Sequence, residues 1–124
     1  MGPRSHVEDE SNMDMQFANL SHGVVRITLK GRLDITGAAK IDLQFSAVAG
    51  SQNGVIVDMS EVTFLASIGI RTLILSSKAI RRRGGNLVLL SPLPDVEKVL
   101  EMTGVTDLLP IMRDEIAAIA AVSV

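Results

Sequence analysis

Asp58-Met59-Ser60-Glu61-Val62-Thr63-Phe64-Leu65-Ala66-Ser67-Ile68-Gly69-Ile70-Arg71 is the stretch that decides the fold. Immediately before it stands Val55-Ile56-Val57, a short apolar run bounded by the turn signals Gly50 to Gly54 and by Asp58. Such a run predicts a strand buried on both faces, as in the centre of a parallel sheet. A loop is expected to follow through Met59, Ser60, Glu61, Val62, Thr63 and Phe64. A helix is expected from near Ser67 to about Arg83, because Ile70, Leu73, Ile74, Ser77 and Ile80 recur at helical spacing. Gly84-Gly85 stops it.

Reading outward, the same alternation continues in both directions. Towards the N-terminus, Val24 to Leu29 alternates like a strand, and Gly31 ends it. Thr36 is the expected N-cap of a helix from Gly37 to about Ala49, with Ala38, Ile41, Phe45 and Val48 on one face. Met15 to Leu20 reads as a first edge strand and Ser21-His22-Gly23 as a turn. Residues Met1 to about Asp14 are polar and without period, and are expected to be a disordered leader or a partial expression remnant, with the domain running from Met15 to Val124. Towards the C-terminus, Asn86 to Leu90 is a buried strand, and Pro94 opens a helix through Met102. Leu108 to Met112 reads as a last strand, and Asp114 caps a closing helix. Strands alternating with helices in this order mean an α/β fold with parallel central strands and right-handed crossovers.

Composition narrows the function classes. The chain has 124 residues, enough for one domain, and its net charge of −2 lacks the basic excess of a nucleic-acid footprint. Phe17, Phe45 and Phe64 are the only aromatic residues, too few for a base-stacking platform. Lys78, Arg81, Arg82 and Arg83 read as the solvated, cation-rich last turn of a helix. With no cysteine, disulfide and thiol chemistry are excluded, which suits a cytoplasmic protein. No apolar run approaches the ~18 residues of a membrane span. The two histidines, His6 and His22, lie in the leader and a turn, and carboxylates do not cluster with metal-ligand spacing, so no metal site is expected. Ser67 lacks the G-x-S-x-G elbow of a hydrolase, and no phosphate-binding glycine motif is present; an enzyme is not expected. Asp58, at a strand end, reads as a loop organiser.

The stretch from Asp58 to Arg71 resembles the signature of STAS domains of the anti-sigma factor antagonist type: a strand ending in Asp, a V-x-F loop, then Ser and Gly opening an amphipathic helix. Gly31-Arg32-Leu33-Asp34, with Ala38 and Ile41 downstream, resembles the family's G-x-L-D segment and first helix. Val99-Leu100-Glu101-Met102-Thr103-Gly104-Val105-Thr106-Asp107-Leu108-Leu109-Pro110 resembles its C-terminal helix-turn-strand. The resemblance covers roughly Val24 to Val122. It implies a single STAS-like domain, with a mixed, mostly parallel sheet of about five strands and four helices.

The resemblance also implies a function. In such antagonists the partner, an anti-sigma factor that is itself a serine kinase, phosphorylates a Ser at the position of Ser67; the unphosphorylated form binds that kinase and frees a sigma factor. Ser67 is then the phosphoacceptor, and Asp34, Thr63, Ala66, Ile68, Gly69 and Arg71 the partner-binding residues. ATP belongs to the partner, so the chain needs no cofactor of its own, and neither nucleic acid nor membrane is a partner. A monomer is expected, with an edge strand that could support weak pairing. This chain departs from the family pattern at Ala66, commonly Asp, at Ile68, commonly Ser or Thr, and at Arg71, commonly Gly. Those departures leave a second reading open: a STAS scaffold that is not phosphorylated, in a signalling assembly or with a transporter. Ser is also a preferred N-cap wherever a helix begins, so Ser67 has an ordinary structural reading too.

Overall fold

A computed structural model describes residues 13–123. Strand β1 (Asp14–Asn19) pairs antiparallel with β2 (Val24–Leu33) across a turn in which His22 and Gly23 take φ of 63° and 73°. From β2, helix α1 (Ile35–Ala49) crosses to β3 (Gly54–Leu65), and α2 (Ser67–Arg82) crosses to β4 (Asn86–Leu90). Helix α3 (Pro94–Met102) leads to the short β5 (Ile111–Met112), and α4 (Glu115–Val122) closes the described chain. The sheet runs β1-β2-β3-β4-β5, with every pair after the first parallel. Crossovers that all step the same way along a sheet put their helices on one face, given the right-handed rule.

Strand alternation divides the core accordingly. Val25, Ile27, Leu29, Val55, Val57, Leu87 and Leu89 point to the face covered by α1, α2 and α3, where they meet Ile41, Phe45, Leu73, Ile80, Val96 and Leu100. Val24, Ile56, Val88 and Leu90 point the other way, under Ala118 and Val122 of α4. Both faces of β3 are thus buried, which explains the unbroken apolar run Val55-Ile56-Val57.

Several expectations are corrected. The segment from Met59 to Phe64 is not a loop but the second half of β3, kept in the sheet by register shifts against β2 between Thr28 and Lys30 and between Gly31 and Arg32. β3 carries the extra residues, as in β-bulges, and the Asp58 carboxylate accepts from the Ser60 amide at 3.0 Å at the first of them. β2 likewise continues past Gly31 to Leu33. The N-cap of α1 is Asp34, not Thr36. The leader expected over residues 1–14 lies outside the described residues as far as 12. Met13 is fully buried in the core and Asp14 opens β1. Arg81 and Arg83 are not merely solvated: Arg81 Nη2 donates to the Asp107 carbonyl at 2.7 Å and Arg83 Nη2 to the Gln52 carbonyl at 2.7 Å, tying the end of α2 to two loops.

Candidate functional site

The C-terminal edge of a parallel sheet is where chains leave strands for helix N-termini, and ligands of open α/β sheets gather there. In this chain two such exits lie side by side. Arg32 and Leu33 of β2 pair with Phe64 and Leu65 of β3, and the Ala66 amide donates to the Leu33 carbonyl at 3.0 Å. Helices α1 and α2 therefore start next to each other, bringing Asp34 beside Ala66 and Ser67.

Each helix start is held by a close approach that only glycine permits. A Cβ on Gly69 would stand 2.6 Å from Leu33 Cγ and 2.8 Å from the Leu33 carbonyl oxygen. A Cβ on Gly37 would stand 2.0 Å from the Arg32 carbonyl oxygen. Both first turns therefore press directly on the end of β2. Gly69 is buried, alone among the candidate residues, and so acts by letting α2 dock rather than by meeting a partner.

Asp34 caps α1: its Oδ1 accepts from the Gly37 amide at 2.8 Å, and its Oδ2 accepts from Arg32 Nε at 3.3 Å. The Gly37 amide, joined by Arg32, holds the Asp34 carboxyl below the usual carboxylate range against an opposing push from partial desolvation. The Arg32 guanidinium also lies over the Phe64 ring, 4.2 Å from its centroid. Thr63 is exposed, and its hydroxyl donates to the Gly31 carbonyl at 3.3 Å across the bulge.

Ser67 is different. It is the first residue of α2, the N-cap is Ala66 in extended conformation, and no side chain caps this helix. Ser67 is exposed, and its hydroxyl makes no hydrogen bond among the described residues. Two other hydroxyls on α2 are engaged, Thr72 donating to the Ile68 carbonyl at 3.2 Å and the buried Ser77 to the Leu108 carbonyl at 2.7 Å, while half-buried Ser76, like Ser67, makes no side-chain hydrogen bond among the described residues. The structural reading of Ser67 as an N-cap is therefore corrected. Ile68 and Arg71 are exposed on the same start of α2, and Ala66 is half-buried. The sequence picked out these positions but not the cleft they border, between α1 and α2, with a volume of about 490 Å3 and Ile35, Ala38, Asp42, Ile68, Arg71 and Leu75 among its walls. Outward-facing apolar residues at Ile35 and Leu75 were its only sequence signal.

Residues 18–118 match the STAS domain family. The chain belongs to that family. BtrV of Bordetella bronchiseptica, which carries the name of an anti-sigma factor antagonist, is 28% identical over 100 residues, covering 80% of this chain and 86% of BtrV. The anti-sigma F factor antagonist of Paenibacillus polymyxa is 25% identical over 115 residues, covering 90% of this chain and 98% of its own. The solved structure of the antagonist SpoIIAA in its unphosphorylated form superposes with a TM-score of 0.73 at 22% identity, over 87% of this chain and 96% of that one. SpoIIAA from Bacillus in its phosphorylated form superposes with a TM-score of 0.67. The STAS fold expected from the sequence, one α/β domain with a five-stranded mixed sheet and four helices, is the fold observed. Among the described residues no helix is long and apolar enough to cross a membrane, and no group of three or more His, Asp or Glu is placed to hold a metal ion.

Proposed function

We propose that this STAS domain is an anti-sigma factor antagonist that acts by binding a protein, not by catalysis, and is switched off by phosphorylation of Ser67. The observation that carries the reading is an exposed serine hydroxyl at the start of α2 with no hydrogen bond among the described residues, next to the start of α1 at Asp34 on the sheet's C-terminal edge. The names of the Bordetella and Paenibacillus relatives support the antagonist role. That SpoIIAA keeps the same fold when phosphorylated supports a modification that spares the domain.

The partner is an anti-sigma factor with serine kinase activity, in the cytoplasm where sigma factors act. Ser67 Oγ attacks the γ-phosphorus of the partner's ATP; the bond from that phosphorus to the β-phosphate oxygen breaks and ADP leaves. The hydroxyl proton passes to a base on the partner. The new group brings about −1.5 to −2 of charge and must be desolvated or paired at any interface covering Ser67. Within the free domain it meets α2's open amide ends and solvent, where an anion is tolerated. Asp34, Thr63, Ala66, Ile68 and Arg71 form the contact surface around it.

The test is intact-mass spectrometry after incubation with the anti-sigma serine kinases of the source genome and ATP, followed by peptide mapping. One phosphate on Ser67 is the expected result. A kinase that binds tightly but leaves Ser67 unmodified overturns the switch and leaves a STAS scaffold, with Ala66 and Ile68 as the departures responsible.

A further inference from the structure

Strand β1 is an edge of the sheet along its whole length, far from the end of the molecule covered by α4. Edge strands of monomeric proteins are commonly blunted by shortness, by Lys or Pro, or by a bulge. The opposite edge, β5, is blunted in this way, being two residues long. β1 has none of these devices. Asp14-Met15-Gln16-Phe17-Ala18-Asn19 pairs with β2 in unbroken register and carries one charge, at its end. The Leu20 amide donates to the Val24 carbonyl at 2.7 Å, so these two form a hydrogen-bonded pair. Antiparallel pairs alternate in type, which makes Ala18 with Arg26, Gln16 with Thr28 and Asp14 with Lys30 hydrogen-bonded pairs as well. The backbone N–H and C=O groups of Met15, Phe17 and Asn19 therefore point outward, and none has a partner among the described residues. Phe17 stands opposite Ile27 on the helix-covered face, yet is 48% exposed.

We infer that β1 pairs antiparallel with β1 of a second copy, about a two-fold axis at Phe17, joining two five-stranded sheets into one. This register sets Phe17 opposite Phe17 and Met15 opposite Asn19, so every outward donor meets an outward acceptor. A shift of two residues either way carries Met15 or Asn19 past the end of the facing strand. Asp14 falls opposite Leu20, well away from its own copy, so no like charges meet. Lys40 reaches β1 through Asp14 at 3.9 Å, and Gln44 and Val48 follow on the same flank of α1. The part of α1 level with Phe17 is thus uncharged. β2 and its copy stand three strand spacings apart, about 14 Å, which seats two α1 helices of about 10 Å diameter side by side over the paired Phe17 rings. A foreign strand gains its specificity from pockets for alternate side chains. Here the half-exposed Phe17 is a knob instead, and a second Phe17 on the axis covers it. One short strand buries less than the about 1,200 Å2 of a standard interface, so this dimer is weak and concentration-dependent. The two C-terminal sheet edges lie at opposite ends of the pair, which leaves Ser67 exposed in both copies.

The chain has no cysteine, so one introduced thiol reports the register. Phe17→Cys places two thiols on the axis with Cα atoms about 5.5 Å apart, inside the disulfide range of about 4.4–6.8 Å. Asn19→Cys lies on the same face, but its two copies are offset by about 13 Å along the strands. Under mild oxidation of the full chain, Phe17→Cys is expected to form a covalent dimer at least tenfold faster than Asn19→Cys. Sedimentation equilibrium of the parent chain is expected to give a monomer–dimer Kd below about 1 mM, and Phe17→Lys to raise it at least tenfold. Melting temperatures report that each variant folds, and the crosslinking pair decides the matter where Phe17→Lys does not. Equal crosslinking of the two Cys variants overturns the register. A parent chain that stays monomeric at that concentration, or a dimer that Phe17→Lys leaves intact, overturns the edge contact.

Discussion

Replacing Ser67 by Ala separates a functional hydroxyl from a structural one. If the hydroxyl capped α2, its loss would cost about 1 kcal/mol, within the usual range of ~0.5–2 kcal/mol for a Ser N-cap. For a domain of this size, about 1 kcal/mol lowers the melting temperature by roughly 4 °C. The geometry gives the hydroxyl no such work: Ala66 occupies the cap position, and Ser67 stands exposed in the first turn without a hydrogen bond among the described residues. Exposed substitutions of that kind stay within about ±0.5 kcal/mol, or roughly 2 °C. Asp114→Ala is the internal control, since its carboxylate does cap α4 by accepting from the Ala117 amide at 2.9 Å, and it should cost about 1 kcal/mol. Thermal unfolding of the three proteins by circular dichroism, in one buffer, gives the comparison. Ser67→Ala is expected to melt with the parent while Asp114→Ala melts several degrees lower. A loss for Ser67→Ala as large as that of the control would refute the reasoning, because the residue would then be explained by the fold alone.

Ser67→Asp should likewise leave the melting temperature nearly unchanged while weakening kinase binding at least tenfold; a collapse of the unfolding transition would point to a structural role. Gly69→Ala should lose about 1–3 kcal/mol in chemical denaturation, because its Cβ would press on Leu33 at 2.6 Å, and an unchanged midpoint would show that α2 can slide. Ser77→Ala removes the bond to the Leu108 carbonyl at 2.7 Å and leaves that acceptor without its partner, for an expected loss of about 1–3 kcal/mol in the same assay. Asp34 has a carboxyl held below its ordinary value of 3.8, so its contribution is fully present above that pH and is lost as pH falls through the lower, folded value. The melting-temperature gap between the parent and Asp34→Ala should therefore be full near neutrality and shrink in acid; a gap independent of pH would remove the ionised carboxylate from the account.

What was legible in the sequence was whatever local pattern dictates. The buried strand at Val55 to Val57, the inward stripes of α1 and α2, the helix start at Pro94 and the cap at Asp114 all follow from period and from local backbone chemistry. The second half of β3 was missed because Ser60, Glu61 and Thr63 are the residue types of a loop, whereas here they sit on a bulged strand whose partner, β2, lies about thirty positions earlier. Thr36 was a reasonable cap by type; Asp34 wins because the end of β2 aims its carboxylate at the Gly37 amide while Thr36 already lies inside the first turn. The arginines at the end of α2 reach carbonyls that only the tertiary fold brings near. The site residues came from a motif, which gives their positions but not whether Ser67 is spare or structural.

The spare hydroxyl gains meaning from how rigidly everything around it is held. Gly37 and Gly69 let two helices press on the last residues of β2, Asp34 is fixed by an amide and a guanidinium, and Arg32 is fixed over Phe64. Within that frame the exposed serine has no hydrogen bond among the described residues to lose when it gains a charge. The cost of a phosphate at Ser67 therefore falls on whatever lies against the surface rather than on the fold beneath it. A mobile loop could accommodate such a group by moving; a helix start held by glycine contacts has less of that freedom, which is what the proposed switch at Ser67 requires.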